Sequence, residues 1–315
     1  MNRGSRPVTT PTALSQALAA LDPPAGLAAA VERLTGRYHG IGDMAEVFRD
    51  PLAIPAYVHT RLPATSAAVA AVLTQLPPLG PTSLLDLGSG CGAVLWAAAE
   101  RWPDLTTVTA LERSAAFAAA GRALLEDGPF PQATWVEGDL RRMPALPVHD
   151  LVTASYAFNE LEPADLDGVL TAAWNLAGKA LLLVEPGMPR GFAVIERARA
   201  LLPSLGGHLA GPCPGTGPCP LAATGDFCRF AVRLARSRNH RQAKGSKGFE
   251  DEPYSWLLIT RAATAPPARV VRPPEIRGDG IHLTLCTTDG LQPLRVSKRD
   301  ADWSRAKRLD WGDAW

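Results

Sequence analysis

The chain has 315 residues, 46% of them hydrophobic, enough for one large domain plus a smaller one. A formal net charge of +1 hides an asymmetry: residues 1–204 hold 15 basic and 20 acidic side chains, whereas residues 205–315 hold 17 and 11. No apolar run is long enough to span a membrane. Five cysteines, an odd number with no secretory context, argue against a disulfide framework and for a reduced compartment. The basic C-terminal part calls for an anionic partner, RNA among them, or simply forms a solvated surface.

The segment from Met1 to Leu21 lacks the compact apolar core of a secretory signal. Arg3 and Arg6, with no acid before Asp22, fit a transit segment as well. Leu14–Ala20 and Leu27–Leu34 read as helices separated by Pro23 and Pro24. A polar, Pro-containing stretch from Tyr57 leads into a helix over Ala67–Leu76, ended by Pro77, Pro78 and Pro81. From Ser83 strands alternate with helices. Strands are expected at Ser83–Leu87, Thr106–Leu111, Ala133–Val136, Asp150–Ser155 and Lys179–Val184. Helices are expected at Ala93–Arg101, Ala115–Leu125, Ala164–Leu176 and Phe192–Leu202. Such alternation predicts an α/β fold with a parallel sheet covered on both faces. Beyond Leu205 the periodicity fails. Phe227–Arg236 is expected to be helical and His240–Gly248 a basic loop. Tyr254–Thr260 reads as a strand; Arg269–Val271, Ile281–Cys286 and Leu294–Val296 read as short strands of a small β-rich unit that needs a staple.

Leu84 to Gly92 reads Leu-Leu-Asp-Leu-Gly-Ser-Gly-Cys-Gly, closing a strand and opening a helix. Gly88, Gly90 and Gly92 let the backbone turn sharply and approach a ligand. Glu112, 24 residues beyond Gly88 at the end of the next strand, is placed to accept hydrogen bonds from ribose hydroxyls. This spacing is closer to a Rossmann-like class I methyltransferase fold than to the dinucleotide GxGxxG loop. In that reading S-adenosyl-L-methionine is the cofactor, Asp86 lies near its methionine amino group and Asp139 meets its adenine. No catalytic residue is identifiable. The fourth strand is followed by Ser155-Tyr156-Ala157-Phe158-Asn159-Glu160-Leu161, without the Pro-Pro-aromatic motif of amino-methyltransferases. Tyr156, Asn159 and Glu160 line an acceptor pocket or pack a strand end. Cys91 is explained by the need for a small side chain inside the loop.

Cys213, Cys219, Cys228 and Cys286 follow the spacing C-x5-C-x8-C-x57-C. Four thiolates without a disulfide context point to a metal. No C-x2-C knuckle is present, as zinc usually has, and the wider loops suit a larger object. Spacing alone leaves zinc and an iron–sulfur cluster as alternatives.

In the order in which they occur, these motifs resemble the methyltransferase-like family of mitochondrial small-ribosomal-subunit proteins and assembly factors, with their bacterial relatives. The resemblance runs through Arg61-Leu62-Pro63-Ala64-Thr65, the Leu85–Gly92 loop, Ser155–Leu161 and Val184-Glu185-Pro186-Gly187. It continues through the Cys213–Cys219 loop, Phe227-Cys228, Glu250–Trp256, Leu285-Cys286 and Trp311-Gly312-Asp313. It implies a 4Fe-4S cluster on Cys213, Cys219, Cys228 and Cys286, and association with the small ribosomal subunit or its precursor through ribosomal RNA. Gly215 stands where the family commonly has histidine after the first Cys-Pro.

Arg229, Arg233, Arg236, Arg238, Arg241, Lys244 and Lys247 lie in a run with no acid from Arg229 through Phe249. Beside a rigid cluster they read as a phosphate-binding surface, with Arg229, Arg233 and Arg236 on one helical face. Three regions follow: an N-terminal helical region, 1–80; an S-adenosylmethionine-binding Rossmann-like domain, 81–205; and an iron–sulfur, basic C-terminal β unit, 206–315. The expected role is ribosome assembly through ribosomal RNA binding, the alternatives being an active ribosomal RNA methyltransferase or a zinc protein. An Arg-, Ala- and Pro-rich composition with few Lys points to a high-GC bacterial gene and the cytoplasm, or to mitochondria in a eukaryote.

Overall fold

A computed structural model describes residues 10–38, 50–245 and 247–315. The N-terminal stretch with Arg3 and Arg6 lies outside them. Helices α1 (Thr12–Ala19), α2 (Leu27–Tyr38) and α3 (Ala53–Leu73) come first. The helix expected over Ala67–Leu76 begins much earlier, at Ala53, and runs through Pro63. Proline there removes one backbone donor. The helix persists because it is buried on nearly every side, Ala56, Leu62, Ala64, Ala67, Ala68 and Val69 having no exposed surface.

Next come β1 (Ser83–Leu87), α4 (Ala93–Arg101), β2 (Thr107–Glu112), α5 (Ala115–Leu125), β3 (Thr134–Glu137), β4 (His149–Ser155), α6 (Pro163–Asn175), β5 (Ala177–Pro186) and α7 (Pro189–Leu201). The strands β1 to β5 pair in parallel, in the order β3-β2-β1-β4-β5. This is the mixed α/β, parallel-dominated Rossmann-like arrangement expected. Apolar strand residues such as Leu84, Leu85, Leu87, Val152 and Leu183 face helices on both sides of the sheet. Strand order reverses between β1 and β4, and α/β sheets bind ligands at the carboxyl ends beside such a switch point.

The sheet continues past residue 205. Strands β6 (His208–Gly211), β7 (Phe230–Ala235) and β8 (Phe249–Thr260) join it, β8 lying antiparallel to β5 and pairing with both β6 and β7. The helix expected over Phe227–Arg236 is therefore strand β7. Its burial alternates, Phe230, Val232 and Leu234 in and Ala231, Arg233 and Ala235 further out, which is a period of two rather than 3.6. Arg229, Arg233 and Arg236 accordingly share no helical face. The basic loop expected from His240 instead contains α8 (Arg238–Lys244), whose N-cap Ser237 Oγ accepts from His240 N at 3.1 Å. A second, four-stranded antiparallel sheet contains β9 (Arg269–Val270), β10 (Glu275–Arg277), β11 (Gly280–Thr287) and β12 (Gly290–Val296). Short helix α9 (Trp303–Ala306) covers it, and Val270, Ile281, Leu283, Leu285 and Val296 form its own small core. Among the described residues, no helix is long and apolar enough to cross a membrane.

Candidate functional site

A cavity of 340 Å³ opens at the carboxyl ends of β1 to β4, beside the switch point. Gly88 and Gly90 after β1, Glu112 to Ser114 after β2, Gly138 to Arg141 after β3 and Ser155 to Ala157 after β4 line it. Its volume falls within the range of small-molecule and cofactor sites. The glycines are there for conformation and space. Gly88 has φ +69°, and a Cβ on it would lie 2.6 Å from the Ala157 methyl; Gly90 has φ +56°. Glu112 binds the loop directly: its two carboxylate oxygens accept from Gly90 N and Ser114 N, each at 2.8 Å.

Of the six residues expected to bind the cofactor, Gly88, Gly90, Glu112 and Asp139 line this cavity, whereas Asp86 and Gly92 do not. Gly92 instead adopts φ +84° as the N-cap of α4. Asp86 is 1% exposed and accepts from Thr153 Oγ1 at 2.8 Å. Burial pushes its carboxyl up to about 7. Asp139 is held by Arg141, which donates from its backbone N and from Nε to Oδ1 and from Nη2 to Oδ2 at 2.6 Å; this keeps the carboxyl down at about 2.

The wall after β4 is built on a buried acid that composition did not flag. Glu185 on β5 is wholly buried. It accepts from Asn159 Nδ2 at 2.7 Å, Phe158 N at 3.0 Å and Asn159 N at 3.3 Å, fixing the single helical turn Phe158–Glu160. Burial pushes Glu185 up to about 8 and also raises Glu160, which lines the cavity. Tyr156 has φ +56°, the one non-glycine residue with positive φ among the described residues. Such strain persists only where the surroundings over-determine it. Here the Tyr156 hydroxyl donates to Pro253 O at 3.3 Å. Arg61 of α3 lines the same wall and donates to both oxygens of Glu252, at 2.7 and 3.0 Å. The signal that could have revealed Glu185 is a single acid ending an otherwise apolar strand, Ala180 to Val184.

A second cavity, of 230 Å³, is lined by all four C-terminal cysteines, Cys213, Cys219, Cys228 and Cys286. Three come from the chain between β6 and β7, the fourth from β11 of the small sheet. The walls include Pro212, Pro218, Pro220, Ser255 and Trp256. Burial raises the thiols of Cys213 and Cys228, and pushes Cys286 up to about 11. No three His, Cys, Asp or Glu side chains among the described residues are grouped as ligands of one metal ion. Cys91 is fully buried and lies apart, inside the glycine loop.

The seven expected basic residues meet different fates. Arg233 Nε and Nη2 donate to Asp251 at 2.6 and 2.8 Å. Arg236 and Lys244 are turned onto Glu250, at 3.2 and 2.9 Å, with their side chains only 11% and 14% exposed. The acids that neutralise them sit just past the acid-free run and fold back along β8. Arg229 stacks over Phe227, its guanidinium 5.0 Å from the ring centre, and Lys247 lies 4.5 Å from the Phe249 ring centre. Arg238 and Arg241 are exposed on α8.

Residues 51–315 match the family described as mitochondrial small ribosomal subunit Rsm22. The human ribosome assembly protein METTL17, mitochondrial, is 28% identical over 284 residues, covering 82% of this chain and 61% of that protein. The Rsm22-cox11 tandem protein 2, mitochondrial, of Schizosaccharomyces pombe is 24% identical over 331 residues, covering 82% of this chain and 42% of that protein. The chain thus spans less than two thirds of either curated relative. Similar solved structures include the magnesium protoporphyrin IX methyltransferase of Synechocystis with bound SAM: 16% identity, 78% of this chain and 99% of that one, TM-score 0.42. Another is the precorrin-6y C5,15-methyltransferase of Geobacter metallireducens: 18% identity, 62% and 87%, TM-score 0.41. The match over residues 51–315 makes this chain a member of the Rsm22 family.

Proposed function

We propose that this chain acts in small ribosomal subunit assembly, binding S-adenosylmethionine at its switch-point pocket and a 4Fe-4S cluster on Cys213, Cys219, Cys228 and Cys286. One observation carries the reading: three cysteines of the chain between β6 and β7 and a fourth from β11 line one 230 Å³ cavity. The spacing of the cysteines, without the C-x2-C pair that zinc usually has, favours a cluster over zinc. The group would supply a rigid covalent tie between the chain preceding β7 and strand β11.

In the other pocket, Glu112 would meet the ribose of S-adenosylmethionine and Asp139 would stand near its base. Asp86 lies buried beneath the loop, outside the lining of the pocket, and accepts from Thr153 Oγ1 at 2.8 Å. When bound, this cofactor supplies a methyl group on a sulfonium. The chain's own residues do the holding: Glu112 fixes the loop, and Glu185 fixes the wall that carries Tyr156 and Glu160. Assembly is the role proposed for the family member, in line with the name of its human relative.

Ribosomal RNA is the partner we infer for the basic surface. Arg238 and Arg241 on α8, with Arg229 and Lys247, are its phosphate contacts; Arg233, Arg236 and Lys244 hold the segment to β8. The deciding experiment is anaerobic purification with iron and labile-sulfide analysis. A brown protein with about four irons and four sulfides per chain is expected, the number set by one cubane on four thiolates. Stoichiometric zinc without sulfide refutes the cluster.

A further inference from the structure

The small sheet carries a second group of cations, apart from the segment around α8. Between Arg295 and Arg308 the chain holds six bases and two acids. It runs from the end of β12 through a tight turn into α9. Asp300 fixes the turn: its backbone N donates to Ser297 O at 3.1 Å and its Oδ2 accepts from Ser297 N at 2.6 Å. Asp300 O also accepts from Trp303 N at 3.0 Å, which ties the turn to α9. One side of this piece faces inward. Val296 and Ala306 are buried in the core of the small sheet, and Trp303 and Leu309 pack against it. The other side carries the charge. Lys298, Arg299, Arg305, Lys307 and Arg308 are exposed, as is Arg295 on β12.

These cations differ from those of the earlier basic run in their partners. Arg233, Arg236 and Lys244 are taken up by Asp251 and Glu250. By contrast, among the described residues the side chains of Lys298, Arg299, Lys307 and Arg308 have no hydrogen bond and no carboxylate oxygen within 4.0 Å. Arg295 reaches Asp279 only at 3.9 Å, and Arg305 lies over Trp315, 4.6 Å from the ring centre. Like charges gathered on an ordered element create a positive field that a polyanion satisfies. A nucleic-acid backbone fits this surface better than a lipid one. Four of the six bases are arginines, whose planar guanidinium can hold a phosphate through two parallel hydrogen bonds. A membrane-surface segment needs apolar side chains to insert. Among the described residues, no large apolar side chain is exposed between Arg295 and Arg308.

We propose that the turn and helix from Arg295 to Arg308 form a phosphate-binding surface for RNA, separate from α8, with Lys298, Arg299, Lys307 and Arg308 as its contacts. This rests on reading RNA as the partner of this chain, and it adds a second place at which the RNA backbone is held. The two surfaces stand on different supports. The segment with α8 is anchored to β8 of the large sheet, whereas α9 and its turn are seated on the core of the small one. Each therefore contributes its own share of counterion release.

The test uses the full chain with Lys298, Arg299, Lys307 and Arg308 changed together to Ala, beside a charge-keeping variant, Lys298→Arg with Lys307→Arg. Affinity for a fluorescently labelled small-subunit ribosomal RNA transcript is measured by anisotropy from about 50 to about 200 mM salt. The quadruple Ala variant should bind at least about ten-fold more weakly at the upper salt, with a salt slope lower by roughly 0.7–0.9 for each phosphate no longer neutralised. The charge-keeping variant should retain both the affinity and the slope. Adding Arg238→Ala and Arg241→Ala to the quadruple variant should lower the slope further, because the two surfaces are separate. Should the quadruple variant misfold in thermal melts, Lys298→Ala with Arg299→Ala, confined to the turn, carries the test. Unchanged affinity and slope in the Ala variants, with wild type binding the transcript, overturn the proposal and leave RNA binding to α8. A wild type that binds no RNA overturns the RNA reading and the proposal with it. Vesicles of phosphatidylcholine and phosphatidylserine are the second probe. Wild-type binding to them that the quadruple variant loses, while its RNA binding is unchanged, assigns the surface to lipid headgroups and likewise overturns the proposal.

Discussion

Replacing Glu250 by Gln should detach the basic segment from the sheet. Glu250 accepts from Lys244 Nζ at 2.9 Å and from Arg236 Nε at 3.3 Å, lies 2.9 Å from His240 Nε2, and has Arg61 at 4.0 Å. Its side chain is 15% exposed, and those of Arg236 and Lys244 are 11% and 14% exposed. Removing one partner of a buried charge pair costs about 3–5 kcal/mol, while exposed pairs are worth about 1 kcal/mol or less. This partly shielded cluster lies between, so about 2–3 kcal/mol is expected. At roughly 2 °C per kcal/mol for a chain this long, the melting temperature should fall by about 4–6 °C. The cluster holds the Glu250 carboxyl well below the usual carboxylate range through His240 and Lys244, against the opposing effect of burial. A depressed folded-state pKa contributes stability above the unfolded value near about 4.3, lost as pH falls toward the folded value. The difference between wild type and Glu250→Gln should therefore be present at neutral pH and shrink below about pH 5, where Glu250 becomes protonated in the unfolded chain. Thermal melts by circular dichroism across that range are the assay. A difference below about 0.5 kcal/mol at neutral pH, typical of a surface substitution, would refute the argument that these charges are held together.

Glu112→Gln should weaken S-adenosylmethionine binding by about ten-fold, with calorimetry as the readout, because a charge-assisted contact is replaced by a neutral one; unchanged affinity would place the ribose elsewhere. Gly88→Ala should lower stability by about 1–3 kcal/mol and abolish cofactor binding, since its φ of +69° and the Ala157 methyl 2.6 Å from the new Cβ both oppose it. Glu185, raised to about 8, contributes stability that is full below the unfolded value near about 4.3 and is lost as pH rises through the folded one. Wild type should therefore lose stability relative to Glu185→Gln between about pH 5 and about pH 8 in denaturant titrations; parallel curves would contradict a buried neutral acid. Arg238→Ala with Arg241→Ala should reduce the salt slope of ribosomal RNA binding by about 0.7–0.9 for each phosphate no longer neutralised; an unchanged slope would show that α8 is only a solvated face.

The parallel half of the sheet is legible in the sequence because its strands are short apolar runs closed by turn residues and separated by helical periods. The glycine loop is legible for the same reason, since its chemistry and its conformation occupy the same few residues. Strand β7 reads as a helix because Arg229, Arg233 and Arg236 also happen to suit a helical spacing, although Phe230, Val232 and Leu234 alternate as a strand does. The first residues of β8, Phe249 to Pro253, are mostly charged and carry no strand signal; their conformation comes from pairing with β7. The same pairing brings Glu250 and Asp251 onto a run that has no acid of its own, so charge balance there is a tertiary property. Local sequence marks out the four cysteines, but not that β11 delivers Cys286 to a cavity formed mostly by the chain before β7.

Strand β8 is where these features meet. Glu250 and Asp251 take up the cations of the basic segment, and Glu252 takes Arg61 from the wall of the glycine-loop pocket. Pro253 O accepts from Tyr156 of that same wall. Two residues on, Ser255 Oγ donates to Cys228 O at 2.7 Å, and Trp256 forms a wall of the cysteine cavity. From Glu250 to Trp256, one strand thus contributes to the glycine-loop pocket, to the cysteine cavity and to the anchor of the basic segment. A backbone paired on β5 and on β7 cannot slide by one residue without moving every side chain to the opposite face. The register of β8 is therefore the geometric reference for all three: its charged residues Glu250 to Glu252 pair with β7 alone, and its residues from Tyr254 onward pair with β5.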